Sequence, residues 1–420
     1  MPASIYSDFG RVANSRGRTT GAGCLVPLWL EVVTERQRIG QIVSYSIAVE
    51  IYYRERPKNH SEDCSGFGAK VAVTNQIREL WGRKLPKPFR ASVTGSYPRP
   101  VQPTDTLKKP TLSREEADEI IRWAAQDQVE AGLDVITDGE VRRENMYYFF
   151  QKRLDGLSFG EMVYRTYGEA GFGIEIASVV DKIENPRFEL ARDWKTAREV
   201  APSHVEVKIT CTGPHLLAKF SNNKRPDLYP TDKDLALAYA GVLNQELKEV
   251  VRAGCEFIQF DEPAWTAFPG EVVWAAEVLN RASEGLNVKI GLHVCGGNPR
   301  RKRVYFTRYD DLAEGFQLVK IDQASLEYCT LSYNMLTLWD KWKFQGEFAV
   351  GVVDQRSDAI ESPETVAQRT RPVLEYFDPE RVLITSECGF QHVPLEITRG
   401  KLRALVAGAH CLREGMPSQG

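Results

Sequence analysis

Three features that would each set the class of the protein are missing from this sequence. There is no excess of charge: 54 Lys and Arg stand against 57 Asp and Glu, a net of −3, which leaves no electrostatic footprint for nucleic acid or for an anionic membrane surface. There is no long apolar run. None approaches the roughly 18 uncharged residues that a membrane span requires, and the stretch from Cys24 to Val33 is too short and lacks a basic leading flank. There is no cysteine framework either. The 8 cysteines, Cys24, Cys64, Cys211, Cys255, Cys295, Cys329, Cys388 and Cys411, are scattered without the spacing that staples a small secreted domain. These absences predict a cytoplasmic protein with reduced thiols and a small-molecule substrate, with no nucleic acid and no membrane as partner. Arg11, Arg16 and Arg18 do not amount to a transit peptide, because Asp8 is close by and the helical periodicity is poor.

What is present divides at about residue 85. Residues 1–85 carry no sustained apolar period and run into the Pro-rich "KLPKPFRA", which predicts an irregular, loosely ordered extension rather than a catalytic domain. Residues 86–420 read differently. Eight apolar runs recur, "ASVTGS", "DVITDGE", "VEVKITCTG", "EFIQFDEP", "VKIGLHVCGG", "LVKIDQASLE", "FAVGVVDQ" and "RVLITSECG", with amphipathic segments between them. Segments such as "SREEADEIIRWAAQDQVEAG" and "TDKDLALAYAGVLNQELKEVVRAG" open on a Ser or Thr cap and close in Gly. Eight such units predict an α/β fold, a (β/α)8 TIM barrel, since parallel strands buried on both faces read as continuous apolar runs. An open doubly wound sheet is the second choice. Residues 145–204 are longer than one helix needs and are expected to include a loop or hairpin over the site.

In such a barrel chemistry sits at the carboxyl ends of the strands. Ser96, Asp138, Glu140, Asp261, Glu262, His293, Cys295, Glu327, Asp354, Arg356 and Cys388 close the runs. His293 and Cys295 are two apart, so on a strand they share a face. With Glu327 and Cys388 they form a set of nitrogen, oxygen and sulfur donors suited to zinc. Each also has a plain structural reading, a rim ion pair for Glu327 and a buried small residue for Cys388. Glu140 and Asp261 are candidates to pair with a substrate ammonium, or else with Arg142 or Arg143.

The succession GSYPRP, DGEVRRENMYYF, TGP, FIQFDEPAW, HVCGGN, VGVVDQRS and LITSECGF, over about residues 90 to 412, resembles the catalytic barrel of cobalamin-independent methionine synthase. The resemblance implies zinc-dependent methyl transfer from 5-methyltetrahydrofolate or its polyglutamate to the thiol of homocysteine. By the same resemblance His293, Cys295, Glu327 and Cys388 are the metal ligands, and Ser96, Glu140 and Asp261 hold the amino acid part of the thiol. Phe220 falls where that family stacks the pterin, or is an ordinary core residue. Two positions depart from the family pattern. Arg356 stands where a histidine is thought to act as an acid, and Ala267 stands where an acidic residue is usual. Arginine stays protonated and is a poor proton donor. The alternative is a thiol alkyltransferase of the epoxyalkane to coenzyme M type, in which Arg356 or Arg99 would grip an anionic tail, or a zinc-binding barrel without catalysis. Nothing in the sequence sets the oligomeric state.

Overall fold

In the computed structural model, the structure describes residues 30–39, 42–51, 86–99, 112–167, 171–331 and 335–415. The chain divides into two compact units, Met1–Arg83 and Lys84–Gly420. In the first, strand β1 (Leu30–Ile39) pairs antiparallel with β2 (Ile42–Ile51), Leu30 opposite Ile51 and Ile39 opposite Ile42. The rest of the predicted extension lies outside the described residues.

The second unit is the barrel. Its strands are β3 (Arg90–Ala91), β4 (Val135–Ile136), β7 (Glu206–Val207) continuing as β8 (Ile209–Thr212), β10 (Phe257–Asp261), β11 (Lys289–Val294), β12 (Gln323–Glu327), β13 (Glu347–Val353) and β14 (Val382–Ser386). From β8 the parallel pairing passes to β10, β11, β12, β13 and β14 and then back to β3. Ser92, just past β3, bridges in parallel to Val135 of β4, and β4 pairs with β7. The circuit is therefore closed, and the open doubly wound alternative is excluded. Long apolar runs end up as short, wholly buried strands; every residue of β10, β12 and β14 is buried, as parallel strands covered by helices require.

The helices follow their caps. Ser113 accepts from the Glu116 amide and opens the helix Arg114–Glu130. Thr231 does the same with Asp234 for Asp232–Arg252. In both, the cap's own amide donates to the acidic side chain, so two otherwise orphaned donors are satisfied. Both helices run out into a glycine at positive φ, Gly132 at 88° and Gly254 at 106°, where a side chain would be strained. The second helix buries Leu235, Tyr239, Leu243, Leu247 and Val250 at helical spacing against the barrel.

The expected hairpin is present within 145–204: β5 (Asp155–Tyr167) pairs antiparallel with β6 (Phe172–Glu184), and β9 (Ser221–Asn223) adds to β6. Inside the barrel, alternate strands contribute a charged layer at the amino-terminal end. Arg90 pairs with Glu206 at 3.0 Å and also with Glu347, and Lys289 pairs with Glu347 at 2.7 Å. Val135, Phe257, Ala349 and Leu383 form a small separate apolar cluster. The same inward faces then carry the functional residues at the other end.

Candidate metal and thiol site

His293 lies on β11, where Lys289, Gly291 and His293 alternate onto one face. Cys295 follows one residue beyond the strand, and Cys388 follows β14. Their ligand atoms all lie within 4.8 Å of one another, and the two sulfurs are 3.9 Å apart. Two sulfurs at about 2.3 Å from a tetrahedral zinc ion stand roughly 3.8 Å apart, so the pair fits such an ion. His293 is buried, its Nδ1 lies 3.2 Å from the Ser325 carbonyl, and its Nε2 has no hydrogen-bond partner among the described residues. A carbonyl on Nδ1 fixes the tautomer that leaves Nε2 as a lone-pair donor. The Cys388 thiol is held well below its ordinary pKa by its hydrogen bond with Cys295, against burial, with His293 contributing after that. Cys295 is correspondingly raised by the bond to Cys388. The trio is a candidate metal site.

Glu327 ends β12 beside this trio but is not drawn into it. Its carboxylate is wholly buried and accepts from the Gly296 amide at 2.9 Å, from Asn298 Nδ2 at 2.5 Å and from Arg303 Nη2 at 2.6 Å. Burial, then the like charge of Glu387, pushes it up to about 7, with Arg303 opposing. Glu387, the residue before Cys388, is also wholly buried and accepts from the amide and hydroxyl of Thr330 at 2.7 and 2.5 Å. Arg356 donates to Glu387 and to Asp354, both at 3.0 Å. It therefore stands one side chain away from Glu327, with its charge answered inside the protein.

On the other side of His293, Asp261 ends β10. Its Oδ1 accepts from Gln259 at 2.7 Å, and Gln259 in turn accepts from the buried Lys208 at 2.6 Å. Burial and the neighbouring charge of Glu140 push Asp261 up to about 7, against the pull of His293. Glu140 accepts from Thr210 at 2.9 Å and lies 3.5 Å from Arg143. A Cβ at Gly95 would run into the Glu140 carboxylate, so the glycine of "TGS" makes room for it. The Ser96 hydroxyl rests over Gly389, next to Cys388. Arg142 is not a partner of these acids; it is committed to Asp118 and Asp193. Arg99 donates to the backbone carbonyls of Glu140 and Arg143, which occupies it in holding the loop after β4.

Phe220 caps the helix Pro214–Lys219 and is buried. Tyr147 meets its ring edge-on at 5.2 Å, and Tyr167 from the end of β5 lies over it at 4.7 Å. Sequence reasoning passed over Arg303, Asn298, Glu387, Gln259 and Lys208. For Glu387 a signal existed in the glycine of "VGVV": a Cβ at Gly351 would meet the Glu387 backbone at 2.8 Å, and a glycine inside a strand marks a close approach. For Arg303 and Asn298, on an irregular loop, the only mark was the glycine pair of "CGGN", where a Cβ at Gly296 would meet Arg303 at 3.0 Å.

A closed barrel with its polar residues gathered at the carboxyl ends of the strands defines an enzyme, and comparison with known proteins makes it a methyltransferase. The model for "Cobalamin-independent synthase, Catalytic domain" matches residues 89–410, and the chain belongs to that family. Methionine synthase from Saccharolobus solfataricus is 36% identical over 344 residues, 80% of this chain and 98% of that protein. The enzyme of the same name from Sulfurisphaera tokodaii is 35% identical over 336 residues, 78% of this chain and 94% of that one. Among solved structures, a B12-independent methionine synthase from Shewanella sp. W3-18-1, in complex with selenomethionine, superposes with a TM-score of 0.70 at 28% identity, covering 78% of this chain and 98% of that chain. Among the described residues, no helix is long and apolar enough to cross a membrane.

Proposed function

We propose that the protein transfers a methyl group from 5-methyltetrahydrofolate to the sulfur of homocysteine, giving methionine, with zinc held by His293, Cys295 and Cys388 and with Glu327 as a fourth, exchangeable ligand. The observation that carries this reading is the trio itself, an imidazole and two sulfurs whose ligand atoms lie within 4.8 Å of one another, with His293 and Cys295 buried and Cys388 partly so. A bound zinc ion supplies the acidity that keeps a thiol, whose ordinary pKa is about 8.5, ionised at neutral pH. The chain's own residues do the rest. Asp261 and Glu140 are neighbours at one rim, and the charge of Glu140 adds to the cost of ionising Asp261, which an ammonium between them relieves. Ser96, above Gly389, places a hydroxyl where the amino acid carboxylate can be met. The Shewanella relative is in complex with selenomethionine, an amino acid with the skeleton of the product, which supports an amino acid as the thiol substrate.

Arg356 bears on the choice of substrates. Its guanidinium is shared between Asp354 and Glu387, so gripping the tail of a sulfonate would break two ion pairs, one of them to a wholly buried acid. That favours methyl transfer over addition of a thiol to an epoxide. Metal analysis of protein purified without chelator is expected to give one zinc per chain, and Cys295→Ser or Cys388→Ser to weaken its retention. Incubation with homocysteine and 5-methyltetrahydrofolate should yield methionine. Metal-free protein, or thiol consumption only with an epoxyalkane, would overturn the reading.

A further inference from the structure

The loop after β11 is built to bring a cation to Glu327. The Val304 and Tyr305 amides both return to the Gly296 carbonyl, at 3.2 and 2.8 Å, so the chain folds back on itself within ten residues. Gly296 permits this, since a Cβ there would meet the Tyr305 carbonyl at 2.7 Å and the Arg303 side chain at 3.0 Å. Gly297 takes the turn at a φ of 61°. The consequence is a three-donor cradle around one carboxylate: the Gly296 amide and Arg303 on Oε2, Asn298 on Oε1. Arg303 is itself almost buried and is braced by Thr330 at 3.1 Å. A guanidinium fixed this close favours the ionised carboxylate, opposing the burial and the Glu387 charge that raise its pKa.

We infer that Arg303 is a positioning residue: with Asn298 and the Gly296 amide it forms a seat for Glu327 beside the metal, so that Glu327 exchanges between metal and seat and leaves a coordination position to the incoming thiol. The inference rests on the metal reading above. A carboxylate is the weakest donor of such a set toward zinc, and a site that offers it a second, fully satisfied position lowers the cost of its departure. The two glycines of "HVCGGN" then have a role distinct from that of the ligands they follow.

The test compares wild type with Arg303→Met for Zn2+ affinity by chelator competition, and for homocysteine affinity by the absorption of the Co2+-loaded protein. With the seat removed, Zn2+ should be held about tenfold more tightly and homocysteine about tenfold more weakly, the loss of one charge-assisted hydrogen bond in each direction. Opposite movement is the mark of the seat; a merely structural arginine would weaken both together. Asn298→Ala, which removes a neutral donor, should move both in the same directions by less, and it serves if Arg303→Met does not fold. In a Glu327→Gln background the effect of Arg303→Met on homocysteine should vanish. Persistence there would mean that Arg303 acts on the metal by charge alone, and parallel or absent shifts would overturn the seat outright. Failure of the wild-type protein to take up either ion would overturn the metal reading and the seat with it, whereas uptake without opposite shifts overturns the seat alone.

Discussion

At the scale of single residues, the site is a row of buried ionisable groups whose charge is set by what lies directly against them. Asp261 is the clearest case: it has one hydrogen bond from Gln259 and a like charge nearby, and its carboxyl sits at about 7. A substrate ammonium would answer that charge. Asp261→Asn is therefore expected to raise the homocysteine KM about tenfold while changing the KM of an equally long thiol without the amino group by less than about twofold. Steady-state kinetics with the two thiols decides it, and equal losses would make Asp261 a structural residue. Asp261 and Glu140 were legible because strand ends are local features. The sequence offered Arg142 and Arg143 alike as partners; which one meets Glu140 was not legible, because adjacent arginines leave a loop in opposite directions, Arg143 toward Glu140 and Arg142 toward Asp118 and Asp193.

At the scale of elements, the helices were written plainly in their caps and the strands only roughly in their runs. Thr231 is half of a reciprocal pair with Asp234, so Thr231→Ala should cost about 1 kcal/mol of stability, measured by urea denaturation, with catalytic constants unchanged. An unchanged midpoint would show that packing alone holds that helix end. The run "LVKIDQASLE" shows the weaker signal: only Gln323–Glu327 is strand, and Leu318 closes the helix Ala313–Leu318. An apolar stretch shared between a helix end and a strand has no internal boundary mark. The third run is likewise divided, with Lys208 standing between β7 and β8. The hairpin of β1 and β2 was missed, although Gly40 and Gln41 separate two runs rich in β-branched residues, a spacing that signals a tight turn.

For the whole molecule, the barrel encloses a polar line from Lys208 through Gln259 to Asp261. Lys208 is wholly buried, and burial lowers its pKa to about 7. With an unfolded value near 10.5, its contribution to stability is present above pH 10.5 and is lost as pH falls toward 7, since the folded state resists the proton that the unfolded chain takes up. Lys208→Met should accordingly gain stability relative to wild type, by a few kcal/mol, as pH is lowered from about 10 to about 7, and gain no more below that. Denaturation of both proteins across that range checks it, and a constant difference would contradict it. A second expectation follows from the division at Arg83. A protein lacking residues 1–83 should keep its metal, because His293, Cys295, Glu327 and Cys388 all belong to the other unit. Loss of metal from a soluble, folded truncation would show that the two units are not independent.

Residue order alone determined the alternation of eight apolar runs with capped helices, the inward sharing of His293 with its strand neighbours, and the choice of ligand-type residues at strand ends. All of these depend on spacing within a few positions, where strand period and cap chemistry act. Tertiary structure decided what those residues meet. Closure rests on the bridge from Ser92 to Val135, the Asp134 amide donating to the Ala91 carbonyl, and the pairings of β4 with β7 and of β14 with β3, which no local pattern encodes. The ring of Arg90, Glu206, Lys289 and Glu347 joins four strands up to 257 residues apart in sequence. The 3.9 Å between Cys295 and Cys388 spans 93 residues. Glu327 reads in sequence as one more metal ligand; its neighbours Arg303 and Asn298 reach it only because the Gly296–Gly297 turn folds the loop back. Period fixes the face a side chain takes, but the partner across that face depends on strand stagger and loop path, which are settled only when the barrel closes.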